Sequence, residues 1–145
     1  MTKTALIVED DKGNAETFKA YISTFFPKWA IFSSISGADA IKQTIAHSPD
    51  VVILDIALSD AISGVRVVQE IAKTDKTPRI ILITALDDHA TAGPRPGRPW
   101  MEQFEPNEKA LIAGFFQKSG LKWGDFIAAI ANAANTPVPV GIEDL

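Results

Sequence analysis

The sequence has no cysteine, which excludes disulfides and thiolate metal sites. Its two histidines, His47 and His89, are too few for a His-rich zinc centre. No apolar run approaches the ~18 residues that a membrane span needs. The opening MTKTALIVEDD carries an apolar run too short for a signal peptide and ends in acids. Positive charge is also scarce: 14 Lys and Arg stand against 18 Asp and Glu, a net charge of −4, with a pI near 5.1. A surface of that sign disfavours nonspecific contact with nucleic acid. Neither a P-loop nor a GxGxxG is present, and no internal repeat is visible. The default expectation is a cytoplasmic protein with no nucleic-acid or membrane partner.

What is present suits one domain with a real core. The chain has 145 residues, of which 46% are hydrophobic. Short apolar runs recur at 5–8, 29–32, 51–54, 79–84 and 114–117, each bounded by turn or acidic residues, as buried strands are. Between them lie helical spacings. Phe18, Ile22 and Phe25 share a face in 14–26, before Pro27. Ala38, Ile41 and Ile45 do so in 37–47, and Val65, Val68, Ile71 and Ala72 in 65–73. Leu121, Phe126, Ile127 and Ile130 form the last stripe, in 121–134.

This alternation predicts a parallel sheet with helices on both faces. Pro94, Pro96 and Pro99 make 87–99 a long loop, and roughly 101–113 reads as the fourth helix. The loop GPRPGRPW is either a tolerated insertion or a partner surface anchored by Arg95, Arg98 and Trp100. The predicted domain is 1–134. Residues 135–145 form a Pro-rich, extended tail, either a linker or a frayed end.

Function in such sheets gathers at the carboxyl ends of the strands. Strand one ends in Glu9, Asp10 and Asp11, strand three in Asp55, and strand four in Thr84; Lys118 follows strand five. Each has a plain structural explanation taken singly. Asp10 and Asp11 suit helix N-caps, Asp55 a turn cap, Thr84 a strand, and Lys118 a solvated loop. Taken jointly, clustered carboxylates repel one another unless a cation intervenes. An all-oxygen donor set selects a hard ion, Mg²⁺ or Mn²⁺. A lysine and a hydroxyl on the same rim suit phosphoryl oxygens, and the whole is equipment for moving a phosphoryl group.

The motifs LIVEDD, VVILDIALSD…SG, ILITA and FFQKS, in that order, resemble those of the response-regulator receiver domain of two-component signalling, of the chemotaxis-regulator-like kind. The resemblance covers about residues 3–134. It implies an α/β flavodoxin-like, doubly wound, five-stranded parallel sheet of order 2-1-3-4-5. It also implies Asp55 as phosphoacceptor, Asp10 as a direct Mg²⁺ ligand, Glu9 acting through water, and the carbonyl of Ala57 as a further ligand. Thr84 and Lys118 would take phosphoryl oxygens. Phe115 matches the aromatic switch position, although Phe115 and Phe116 also suit core or interface.

The sequence departs from the family pattern in four places. Asp55 to Gly64 is one residue longer than the commonest loop. Ser59 and Ser119 stand where proline is frequent, and Thr84 to Lys118 is long. Ala57 and Leu86 are apolar where the family tunes attack by water, which predicts a slowly hydrolysing phosphoaspartate. The expected donor is a sensor histidine kinase or histidine phosphotransfer protein. The expected output is contact with a downstream protein through the helix 4–strand 5–helix 5 face, with a homodimer as a further expected partner state. The domain would catalyse only its own modification and so is not expected to be an enzyme. The alternative is a phosphorylation-independent interaction module. An aspartyl-phosphate hydrolase is disfavoured, because Ala57 stands where a second acid would be needed.

Overall fold

The computed structural model describes residues 2–56, 63–85 and 100–145. Five strands, β1 Thr4–Val8, β2 Ala30–Ser34, β3 Val51–Asp55, β4 Arg79–Thr84 and β5 Ile112–Gln117, form one sheet of order β2-β1-β3-β4-β5. Every pairing is parallel. The helices are α1 Lys12–Phe25, α2 Gly37–His47, α3 Gly64–Ile71, α4 Pro106–Lys109 and α5 Trp123–Ala133. The doubly wound topology is therefore the expected one. None of the described helices is long and apolar enough to cross a membrane.

Strand alternation divides the core into two layers. Leu6, Val8, Val52, Leu54, Ile80 and Leu82 pack with α2 and α3 on one face. Ala5, Ile7, Val51, Ile53, Ile81 and Ile83 pack with α1 and α5 on the other. Successive side chains of a strand point to opposite faces, and crossover helices cover both. A run such as Val51–Leu54 is therefore apolar throughout, and all four residues are fully buried. Phe126 on α5 is also fully buried, against Phe18, Phe116 and Trp123 with ring centroids 5.5–5.6 Å apart. Burying such a ring contributes roughly 2–3 kcal/mol.

Two expectations are corrected. The expected helix over 101–113 is a 3-10 turn, Trp100–Gln103, and the four-residue α4. Pro106 at its first turn and the reciprocal Glu105–Glu108 capping box start α4. It stops because Leu111 and Ile112 are drawn into the sheet: Ile80 N donates to Leu111 O at 2.8 Å, and Ile80 pairs with Ile112. Phe104, 4% exposed, fills the core on this side. The expected α2 stripe is also rotated. Ala38 is exposed and Ile45 is 64% exposed, while Gly37, Ala40 and Thr44 are buried and Ile41 lies at the margin. Small residues bring α2 close to the sheet, and the Thr44 hydroxyl is satisfied by Ala40 O at 2.8 Å. The segment after α5 ends in a further 3-10 turn, Ile142–Asp144.

Candidate phosphoacceptor site

The carboxyl edge of the sheet collects the expected groups. Asp55 is the last residue of β3 and is 3% exposed. Thr84 ends β4 and is fully buried. Glu9 follows β1, also fully buried, with its N–H donating to Ser34 O at 3.0 Å. Lys118 follows β5, and its N–H donates to Thr84 O at 2.8 Å, which extends the β4–β5 ladder by one bond.

The three acids that follow β1 separate by role. Asp11 is the N-cap of α1 and accepts from Asn14 N at 2.9 Å. Asp10 instead joins Glu9 and Asp55: ligand oxygens of all three lie within 4.8 Å of one another. Opposite them, Lys118 Nζ donates to Asp55 Oδ2 at 2.9 Å and to Glu9 Oε1 at 2.5 Å. A charged lysine therefore bridges two carboxylates, with its own side chain only 23% exposed.

The electrostatics follow from burial. Desolvation pushes Glu9 up to about 7; Asp55's negative charge adds to the rise, while the Lys118 hydrogen bond opposes it. Burial by itself would lower the Lys118 ammonium. Its hydrogen bonds to Asp55 and Glu9 outweigh that and hold it above the ordinary lysine range. Lys118 reaches two of the three clustered carboxylates, Glu9 and Asp55, and burial shifts Glu9 toward its neutral form. That is the charge deficit a divalent cation relieves, and an all-oxygen donor set suits Mg²⁺. The residues present therefore fit the metal.

Close backbone packing places Asp55. A Cβ on Gly64 would stand 2.7 Å from Asp55 O and 2.4 Å from Ile56 Cα. Gly64 N donates to Ile56 O at 3.1 Å. Only glycine lets α3 begin this near the peptide of Asp55. The sequence marked this residue only as the end of a loop, and its role needed the tertiary contact. Ala57, Ser59, Leu86, His89, Arg95 and Arg98 lie outside the described residues, as does the loop 87–99. Phe116 is a core residue, half-buried beside Phe126. Phe115 pairs with Leu82 and is 37% exposed.

A doubly wound domain with an acid cluster and a lysine over its carboxyl edge has the parts of a site for a hard cation and an oxyanion. Comparison narrows the class: the response regulator receiver domain family matches residues 5–94. The chain is 31% identical over 93 residues to the polar-differentiation response regulator DivK of Brucella ovis, which covers 64% of this chain and 72% of that one. It is 28% identical over 92 residues to an uncharacterized response regulatory protein of Vibrio cholerae, and that match spans only 35% of the longer relative.

Among solved structures, a DNA-binding response regulator of the LuxR family from Staphylococcus aureus superposes with a TM-score of 0.72 at 23% identity, covering 92% of this chain and 99% of that one. A receiver domain from Methylobacillus flagellatus gives 0.67 at 20% identity, over 92% and 99%. The chain belongs to the response regulator receiver domain family of two-component systems.

Receiver domains are signalling domains rather than metabolic enzymes. They bind Mg²⁺ at an acidic cluster, and they interact with kinases or phosphotransfer proteins and with downstream targets. The family match ends before β5. Lys118 and Phe115 therefore lie outside that match.

Proposed function

We propose that the domain accepts a phosphoryl group on Asp55 from the phosphohistidine of a sensor histidine kinase or phosphotransfer protein. The observation that carries this reading is the Lys118 bridge to Asp55 and Glu9, beside three carboxylates within 4.8 Å of one another. An Asp55 carboxylate oxygen attacks phosphorus, a P–O bond forms, and the P–N bond to the imidazole breaks; the donor leaves as neutral histidine after taking up a proton. Glu9, Asp10 and Asp55 would hold Mg²⁺, with Ala57 as the further ligand that the family resemblance implies, and the ion would supply charge neutralisation for the acids and the transferring group. Lys118 turns its ammonium from Glu9 to a phosphoryl oxygen, and the Thr84 hydroxyl takes another.

Output is by protein contact on the face of α4, β5 and α5, to a downstream target or to a second copy. Phe115 is the side chain on that face whose setting would change with Thr84. The chemistry belongs in the cytoplasm, where phosphohistidine donors of this kind act.

The test is incubation with a small phosphodonor and Mg²⁺, followed by intact-mass measurement. One added phosphoryl group on the wild type, absent from Asp55→Asn, is expected. An unmodified wild type, or equal labelling of D55N, overturns the reading and leaves a phosphorylation-independent interaction module.

A further inference from the structure

The segment after α5 doubles back along it. Asn135 adopts φ +56 just past the helix, and Thr136 N donates to Ala131 O at 2.9 Å. Pro137 and Pro139 keep the next stretch extended, in a groove it shares with Phe26 and Trp29. Gly141, at φ +88, turns it again. Ile142 then packs into the apolar cluster of Phe126 and Trp123. Its carbonyl oxygen lies only 2.6 Å from where a Cβ on Gly124 would stand. The segment therefore leaves one end of α5 and seats on the other, at the helix's first turn.

That first turn controls a short loop. Residues 119–122 join Lys118 to α5. Ser119 and Gly120 are exposed, and Gly120 sits at φ +72 with nothing within 4 Å of an added Cβ. Little packs against this part of the loop to fix its shape. Its near end is held where Lys118 N meets Thr84 O. Its far end is held by Leu121, which packs against the apolar cluster of Phe18 and Phe126, and by the start of α5. No side-chain cap secures that start. Packing does: the Trp123 ring is stacked 3.8 Å from Tyr21 of α1 and lies 5.6 Å from Phe18, and Ile142 sits over Gly124.

We propose that residues 136–145 are a positioning element for Lys118: Ile142, seated on Gly124, fixes the first turn of α5 and so holds loop 119–122 where Lys118 Nζ bridges Asp55 and Glu9. The consequence for phosphoryl transfer rests on the function proposed above. The structural coupling does not.

The experiment uses the full chain, with Ile142→Asp, Gly124→Ala and Lys118→Ala singly and in pairs. I142D removes the clamp by charge, whereas G124A displaces the Ile142 carbonyl with no charge change. In labelling by a small phosphodonor with Mg²⁺, each clamp variant slows the rate about tenfold in the Lys118 chain, as small misplacements of a transfer group do. The same change in the K118A background has less than about a twofold effect, because coupled residues are non-additive. Ile142→Val keeps the wild-type rate. In parallel, urea unfolding of the same set in metal-free buffer at pH 6 shows non-additivity between the clamp and Lys118. Equal slowing in both backgrounds, or additive unfolding, overturns the proposal. If the wild type takes no label, the phosphoacceptor reading falls by itself, and the unfolding cycle still decides the clamp.

Discussion

Replacing Glu9 by glutamine tests the electrostatics of the site most directly. Glu9 is fully buried, and its ordinary value of 4.5 is pushed up to about 7 by burial, with Asp55 adding to the rise despite the Lys118 hydrogen bond. A carboxyl whose folded pKa lies above its unfolded one binds more protons in the native state. The stability it contributes is fully present below about pH 4.5 and is lost as pH climbs to about 7. At ~1.4 kcal/mol per pH unit the loss is about 3 kcal/mol. That figure already contains the attraction of Lys118, since the pKa reflects every neighbour.

Glutamine mimics the protonated side chain in shape and does not titrate. E9Q is therefore expected to match the wild type near pH 5 and to exceed it by about 3 kcal/mol at pH 8. The assay is urea unfolding at several pH values between 5 and 8, with a chelator to strip divalent ions. Added Mg²⁺ at pH 8 then recovers most of the wild type's deficit and helps E9Q less, because the variant lacks one of the charges that attract the ion. Parallel pH profiles for the two proteins, without chelator dependence, would refute this account of Glu9.

Other outcomes follow from the same geometry. Asp10→Ala is expected to weaken Mg²⁺ binding in calorimetric titration, whereas Asp11→Ala leaves it unchanged and costs about 1 kcal/mol of stability through the lost α1 cap; equal effects on Mg²⁺ would remove the division between these neighbours. Gly64→Ala forces α3 away from Asp55 and costs roughly 1–3 kcal/mol in urea unfolding, together with slower labelling of Asp55. A wild-type stability would mean that the close approach at Asp55 O carries no weight. With Ala57 and Leu86 apolar, the phosphoaspartate is expected to decay slowly, and loss of label from the purified protein within seconds in Mg²⁺ would contradict that.

Much of this domain could be read without coordinates. Unbroken apolar runs such as Val51–Leu54 are what a strand covered on both faces requires, and their alternation with helical spacings left few topologies. The gathering of the candidate site residues was legible because a parallel sheet puts every strand's carboxyl end on one edge. Glu9, Asp55, Thr84 and Lys118 are far apart in the chain, yet each sits at such an end. Periodicity misled where tertiary demand was stronger than local preference. Leu111 and Ile112 have helix-compatible neighbours, but Ile80 needed a partner, so α4 shrank to one turn. In α2 the helical spacing points the larger Ile45 at the core, whereas close approach to the sheet selects Ala40 and Thr44.

By itself, then, the sequence determined the fold class and the strand-end residues, because both follow from local pattern and the rule that parallel strands share an edge. Only the tertiary structure decided which acids face Lys118 and which one caps α1. It alone decided why residue 64 has no side chain. It alone brought Ile142 back to Gly124. Those outcomes depend on distances between segments far apart in the chain, set by how helices settle on the sheet, and no periodicity along the chain encodes them.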